Sequence, residues 1–313
     1  MLKKENSKIF QREDNMSTRR YNFRDRYQEL IKLVKQDIQE SVSRALQEDL
    51  GEQLNVYNDI TANLLPKNVI VYAQILNHEE GIFCGVDWVQ TVFNLLNQQV
   101  NINWYIKDGQ KIIPGQLLCE IEGSARILVI CERTILNFIQ TLSGVATKTN
   151  YYVSLLDNTN TKLLDTRKTL PGLRTALKYA VACGGGNNHR IRLSDAFLIK
   201  ENHIITIGSI HKAIKMALSM FPHYPIEIEV ESIKELIQAI DAGADIIMLD
   251  NFSLEEINDA VKVNNGRVAL EVSGNVNDEI ITEIAKTGVD YISIGDLTKN
   301  IHSIDMSIRL KMK

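Results

Sequence analysis

Apolar residues at Tyr27, Leu30, Ile31, Val34, Ile38, Val42 and Leu46 form a stripe with helical spacing, which predicts an amphipathic helix over residues 24–50. Gly51 is placed to stop it. Beyond it the pattern shortens. Residues 69–76 read as a strand, 86–96 as a short helix and 100–106 as a second strand. The stretch KDGQKIIPGQLLCEIEG then reads as short strands separated by glycine turns. Turns of this kind also occur in lipoyl-type carriers, but Lys107 and Lys111 both lie outside an obvious hairpin tip. This half predicts a small α+β unit.

A long helical segment, residues 125–156, leads into a different rhythm. Six apolar runs (162–164, 196–199, 226–230, 245–249, 268–272 and 291–294) now alternate with amphipathic stretches. Among these, SIKELIQAIDAGA and SLEEINDAVKVNN open on the natural N-caps Ser232 and Ser253. Repeated βα units with near-continuous apolar strands imply a parallel sheet covered by helices. Six strands fall short of the eight in a complete TIM barrel, so the expected fold is an incomplete or open α/β barrel. A doubly wound sheet is the alternative. The expected organisation is a tail over 1–22, a small α+β domain over 23–132, and a catalytic barrel over 133–299. Residues 300–313 are candidates to rejoin the small domain.

Composition narrows the function classes. Hydrophobic content of 44% and charged content of 24% suit a globular protein with a substantial core. A net charge of −4 argues against nucleic-acid binding by overall field, so any anion site must be a local cluster of cations. No apolar run approaches bilayer length, which predicts no membrane partner. Residues 1–20 mix acids and bases without an apolar core, unlike a signal or transit peptide, and Met16 is a second candidate start. Cys84, Cys119, Cys131 and Cys183 are scattered with no CxxC pair, which disfavours a disulfide frame or zinc site and fits a reducing cytoplasm. His78, His211, His223 and His302 show no metal-like spacing.

The chemistry gathers at the C-terminal ends of the six strands. These carry Asp165-Thr166-Arg167-Lys168, Lys200, Glu229 with Glu231, Asp250-Asn251, Ser273-Gly274-Asn275 and Ser293-Ile294-Gly295. In parallel α/β folds such ends face one mouth, where ligands bind. Any one of them reads equally well as a cap or loop residue; six polar ends on six apolar strands do not. Arg167, Lys168, His189, Arg190 and Lys200 make a cationic group in an acidic chain, and two arginines suit carboxylate or phosphate. Glu229 and Asp250 offer hard oxygens for Mg²⁺ or for ribose hydroxyls. The small residues of SGN and SIG let backbone N–H groups approach a phosphate.

Several of these segments also carry a family resemblance. ERTILNFIQTLSGVAT, DTRKTLPGLR, KYAVACGGGNNHRIRLSDAFLIKENH, EIEVES, IIMLDN, LEVSGNV and YISIGDLTK occur in the order of the motifs of quinolinate phosphoribosyltransferases. The likeness begins at ALQEDLG and runs nearly to the C-terminus. One departure is visible: EQLNVYN separates Gly51 from Asp59-Ile60-Thr61, where the family places an acidic-Ile-Thr element close behind EDLG.

The resemblance implies transfer of phosphoribosyl from phosphoribosyl pyrophosphate to quinolinate, with decarboxylation and a requirement for Mg²⁺. It implies that Arg133, Arg167, His189, Arg190 and Lys200 bind quinolinate, while Lys168 and Lys200 reach the donor. Thr166 joins the substrate-binding set. Glu229 and Asp250 hold ribose and magnesium, and the backbone at 273–275 and 293–295 takes the 5′-phosphate. Lys168, Lys200, Glu229 and Asp250 are then the catalytic candidates. A homodimer is implied as well, with Arg133 reaching the neighbouring subunit's site. Three rivals remain: a related phosphoribosyltransferase acting on another base, a Schiff-base aldolase using Lys200, and a non-enzymatic phosphate-binding protein.

Overall fold

The computed structural model describes residues 21–312. Helix α1 (Phe23–Leu50) is followed by strand β1 (Ile70–Asn77), the short β2 (Gly81–Ile82), α2 (Val86–Leu95) and β3 (Asn101–Trp104). The short β4 (Lys111–Ile112), β5 (Leu117–Ser124) and the long α3 (Ala125–Ser154) come next. Then come β6 (Lys162–Leu164), α4 (Arg174–Cys183), β7 (Phe197–Ile199), α5 (Glu201–Ile207) and α6 (Ile210–Met220). Regular alternation follows: β8 (Ile226–Val230), α7 (Ile233–Ala242), β9 (Ile246–Asp250), α8 (Leu254–Asn264), β10 (Ala269–Ser273), α9 (Ile281–Lys286) and β11 (Tyr291–Ser293). The last strand is β12 (Met306–Met312).

These elements form two compact units. The first holds the described residues up to Glu29, Leu155–Leu164 and Asn188–Ile294; the second holds Leu30–Ser154, Asp165–Asn187 and the chain from Gly295 onward. The expected boundary between 132 and 133 thus falls inside α3, which runs unbroken for 30 residues, about 45 Å. Of the expected tail, residues 1–20, including Met16, lie outside the described residues. Tyr21, however, is 6% exposed and belongs to the core.

In the second unit, the stripe of α1 is buried at Leu30, Val34, Ile38, Val42 and Leu46. The helix ends as expected at Gly51, whose φ of +79° lies in the left-handed region that a side chain would strain. Its sheet runs β12-β1-β5-β3, and the pairings β12–β1, β1–β5 and β5–β3 are all antiparallel. Residues 306–312 pair with β1 along their length. The segment between Gly51 and Asp59 satisfies its own polar groups: Asn55 caps Tyr57, Asn58 donates to Leu50 O at 2.7 Å, and Asp59 accepts from the N–H groups of Thr61 and Ala62.

The glycine run after α4 has a packing role in this unit. A Cβ on Gly184 would collide with Ala146 O and Thr149 of α3, and one on Gly186 would stand 2.7 Å from Thr149. Side chains are excluded there because two backbones nearly touch.

The first unit contains one parallel sheet in the order β6-β11-β10-β9-β8-β7. Strands β7 to β11 neighbour one another in sequence order, and β6 pairs with β11 rather than β7. That is the circular order of a barrel, open between β6 and β7; no closed barrel is present among the described residues. Ser232 and Ser253 cap α7 and α8, the latter in a capping box with Glu256. Strand register puts Glu229, Met248, Glu271, Tyr291 and Lys162 in one cross-strand row. Because side chains alternate along a strand, Glu227 and Glu229 point to the same face of β8, about 7 Å apart.

Candidate active site

At the C-terminal ends of the first unit's strands, Lys200 follows β7 and forms an ion pair with Glu229 of the adjacent β8. Lys200 is also held by backbone: its N–H donates to His203 Nδ1 at 3.0 Å, and its carbonyl accepts from His203 N–H at 2.8 Å. His203 is thus the residue that sets the turn into α5. Asp250 ends β9, half-buried, and accepts from Asn251 Nδ2 at 3.0 Å. Asn275 Nδ2 in turn donates to Asn251 Oδ1 at 3.4 Å. Gly274 has a φ of +89°, and a Cβ there would strike the Asn251 side chain. Glycine at this position lets β9 and β10 end in close contact.

The acidic side of this rim crowds several carboxylates together. Glu231 is exposed, yet its carboxyl is pushed above its ordinary value, first by Glu201, then by desolvation, Glu235, Asp250 and Glu229. A cluster of hard oxygens under mutual repulsion favours a cation.

Below the rim lies a sealed polar layer that the sequence reading did not anticipate. Glu227 and Glu271 are fully buried, His189 is 4% exposed and Arg190 7%. His189 Nε2 lies 2.9 Å from Glu227 Oε2 and 3.6 Å from Glu271 Oε2. Its Nδ1 accepts the Arg190 backbone N–H at 2.7 Å, and the Arg190 guanidinium donates to Ala196 O at 3.1 Å. Asp195 accepts from the N–H groups of Ile191 and Arg192 and closes the loop behind them. Burial alone would raise the Glu227 carboxyl. His189, the Tyr21 hydroxyl and Arg190 more than offset this and hold it below its ordinary value of 4.5.

In the second unit, Thr166, Arg167 and Lys168 follow β6, and Gly295 follows β11. Thr166 Oγ accepts from Lys168 N–H at 3.0 Å, while Thr298 donates to Lys168 O at 2.8 Å. A Cβ on Gly295 would stand 2.9 Å from Lys168 Cδ, so the glycine makes room for that lysine. Asp165 and Lys178, both fully buried, form an ion pair that anchors the start of this loop. Arg133 is exposed on α3 and pairs with nothing among the described residues.

One expected role needs correction. Ile294 N–H already donates to Leu164 O at 3.0 Å, so Ile294 has no backbone donor left for a phosphate. Ser293 is buried in the first unit, and its hydroxyl has no partner among the described residues.

No cysteine suits a nucleophile. All four are free, and burial pushes the thiols of Cys84, Cys119 and Cys131 upward. Cys84 and Cys183 approach Asp108, but that carboxylate already accepts from Gly85, Val86 and Tyr179. The shallow hollow lined by Gln39, Glu40, Ser43, Arg44 and Leu95, about 480 Å³, brings together none of the residues named above.

Comparison with known proteins gives a consistent result. The N-terminal domain model of quinolinate phosphoribosyl transferase matches residues 59–143 and the C-terminal domain model residues 145–309. The solved structure of nicotinate-nucleotide pyrophosphorylase from Francisella tularensis is 48% identical with a TM-score of 0.83, covering 88% of this chain and 96% of that one. A probable nicotinate-nucleotide pyrophosphorylase (carboxylating) of Bacillus subtilis is 40% identical over 262 residues, 83% of this chain and 89% of the relative. The Mycobacterium leprae protein of that name is 36% identical, over 87% and 96% of the two chains.

Proposed function

The chain belongs to the quinolinate phosphoribosyltransferase family, and we propose that it joins quinolinate to phosphoribosyl pyrophosphate, releasing carbon dioxide and pyrophosphate and forming nicotinate mononucleotide. The observation that carries this reading is the rim of the parallel sheet. Lys200 and Glu229 are paired on adjacent strand ends, with Asp250 on the next strand along. A cation for anionic substrate groups thus stands beside carboxylates for ribose hydroxyls.

The residues have separable tasks. Arg167, Arg190, His189 and Lys200 meet the two carboxylates of quinolinate, with arginine's planar fork matching a carboxylate edge. Thr166 lines the substrate, and Lys168 and Lys200 neutralise the donor's pyrophosphate as it departs. Glu229 and Asp250 orient the ribose and stabilise the positive charge that develops at its anomeric carbon. The Ser273, Gly274 and Asn275 turn and Gly295 receive the 5′-phosphate, with the Ser293 hydroxyl beside them in sequence. Once the ring nitrogen has become pyridinium, it stabilises the carbanion left by carbon dioxide, which takes a proton from water to give the product C–H, so no protein nucleophile is required.

Magnesium fits the donor set, since the Glu231 shift reports a concentrated negative field beside Glu229 and Asp250. Those two carboxylates would hold Mg²⁺, and the ion, when bound, supplies positive charge beside phosphate oxygens. A lysine engaged by a carboxylate is poor material for a Schiff base, which needs the free amine. The free thiols suit a cytoplasmic setting, which cell fractionation checks.

The test is direct. Purified protein with quinolinate, phosphoribosyl pyrophosphate and Mg²⁺ should yield nicotinate mononucleotide and carbon dioxide in equal amounts, and nicotinate should not replace quinolinate. Turnover of nicotinate but not quinolinate would assign another base.

The proposal extends to a two-fold dimer in which Arg133 serves the neighbouring subunit. In support, Arg133 is exposed on α3 and pairs with nothing among the described residues, which leaves its guanidinium available to an anionic group of another chain. Arg133→Ala and Lys168→Ala homodimers should each be inactive. Mixed dimers should regain activity, because one of their two sites carries neither substitution. Mixtures that stay inactive despite proven exchange would place Arg133 outside the partner's site.

A further inference from the structure

The layer beneath the rim contains a residue that none of these roles uses. Tyr21 packs with Leu164, Ala196, Ile246, Ala269 and Tyr291 inside the parallel sheet. Its hydroxyl lies 2.5 Å from Glu227 Oε2, the oxygen that also meets His189 Nε2. The tyrosine and histidine rings stack edge to face, centroids 5.2 Å apart, and the Arg26 guanidinium covers the tyrosine ring at 4.1 Å. Burial, then the Glu227 charge, push the phenol well above its ordinary value, so it stays neutral and donates.

We propose that Tyr21, acting through Glu227, is a positioning residue for quinolinate binding: together they hold His189 in one tautomer and thereby fix the turn that carries Arg190. This rests on the assignment of His189 and Arg190 to quinolinate made above.

The hydrogen-bond roles leave little freedom. Since His189 Nδ1 accepts the Arg190 N–H, the ring proton sits on Nε2 and points to Glu227. Rotating the imidazole would break both bonds, and the Arg190 backbone would move with it. The Arg190 guanidinium is tied to Ala196 O, and Ala196 packs in the same cluster as Tyr21. The network thus joins the proposed substrate grip to the buried side-chain cluster around Tyr21.

Packing alone does not call for the hydroxyl. Two residues further on, Phe23 packs edge to face on Tyr291 at 5.6 Å with an unsubstituted ring. Two buried carboxylates are costly as well, and an apolar layer would stabilise the sheet at least as well. Their retention makes sense if orientation is what the layer supplies. His189, Glu227 and Glu271 are also a set of ligand types that suits a metal ion, but the proton on Nε2 and the phenol hydroxyl already meet the Glu227 oxygen.

The test is Tyr21→Phe in the full-length enzyme, which keeps the ring and removes the hydroxyl. The KM for quinolinate should rise roughly three- to tenfold, the loss expected for one ordinary hydrogen bond acting through a second residue. The KM for phosphoribosyl pyrophosphate should hardly move, while the thermal midpoint should fall by only a few degrees. Nitrogen-15 spectra of the His189 ring, assigned with His189→Gln, should change from a single Nε2–H tautomer to a mixture. Glu227→Gln provides a second route to the same readouts if Tyr21→Phe does not fold, and its effect should be larger in the same direction. An unchanged quinolinate KM with an unchanged tautomer would overturn the proposal, as would equal rises in both KM values. Arg190→Ala separates the two levels. If it raises the quinolinate KM while Tyr21→Phe does not, the relay alone is wrong; if it too leaves that KM unchanged, the substrate assignment fails and the relay with it.

Discussion

Glu227 and Glu229 stand on the same face of one strand, two residues apart, and the structure gives them different work. Glu227 is fully buried, and its partners, an imidazole and a phenol, are held by packing. The Glu229 side chain is 13% exposed, and its partner Lys200 is 49% exposed on a flexible stem. The first arrangement cannot rearrange without breaking the core. The second can exchange a lysine for a ligand at small cost, since a wet ion pair contributes little. One strand repeat therefore separates a carboxylate enclosed in the sheet's interior from one whose partner is exposed and exchangeable.

Removing each carboxylate is the strongest way to break that contrast. Glu227→Ala should lower stability by about 3–5 kcal/mol, because it removes the buried carboxylate that accepts from both His189 Nε2 and the Tyr21 hydroxyl. Urea denaturation measures this. Glu229→Ala should change stability by less than about 1 kcal/mol yet reduce turnover by about 10²-fold. Similar stability losses for the two variants would erase the distinction.

A subtler effect is expected in acid. Because the folded protein holds the Glu227 carboxyl below 4.5, this group contributes stability that is present above that value. The contribution disappears as pH falls through the lower, folded value. Thermal midpoints recorded from neutral pH down to about 3 should therefore fall less steeply in Glu227→Gln than in the parent. Parallel acid limbs would show that another carboxylate governs the loss.

Much of this was legible in advance. The apolar runs located all six parallel strands because a strand buried on both faces has few polar residues to blur its limits. Ser232, Ser253 and Gly51 marked helix ends through local hydrogen bonding and backbone freedom, which a short window of sequence contains. The rim could be listed because strand ends are chain positions. The sealed layer was harder to see. In IEIEV, period-two alternation does put Glu227 on the face of Glu229, and a mid-strand acid demands a buried partner. Nothing in the spacing names His189, 38 positions away in the chain, still less Tyr21, which charge and composition had consigned to a tail. The glycine run after α4 is of the same kind: Gly184 and Gly186 are small because α3 lies against them. Long-range packing of that kind leaves no local periodicity.

Strand β12 has a practical consequence for handling the protein. It covers the side of β1 opposite β5 along seven paired positions, from Asn77↔Met306 to Val71↔Met312. Deleting residues 306–312 would leave β1 with a long row of unsatisfied N–H and C=O groups, a template on which another copy can add a strand. β12 itself carries Arg309 and Lys311, the kind of charged side chains that discourage such addition. It serves as a guard strand, so trimming this segment trades solubility for a sticky edge.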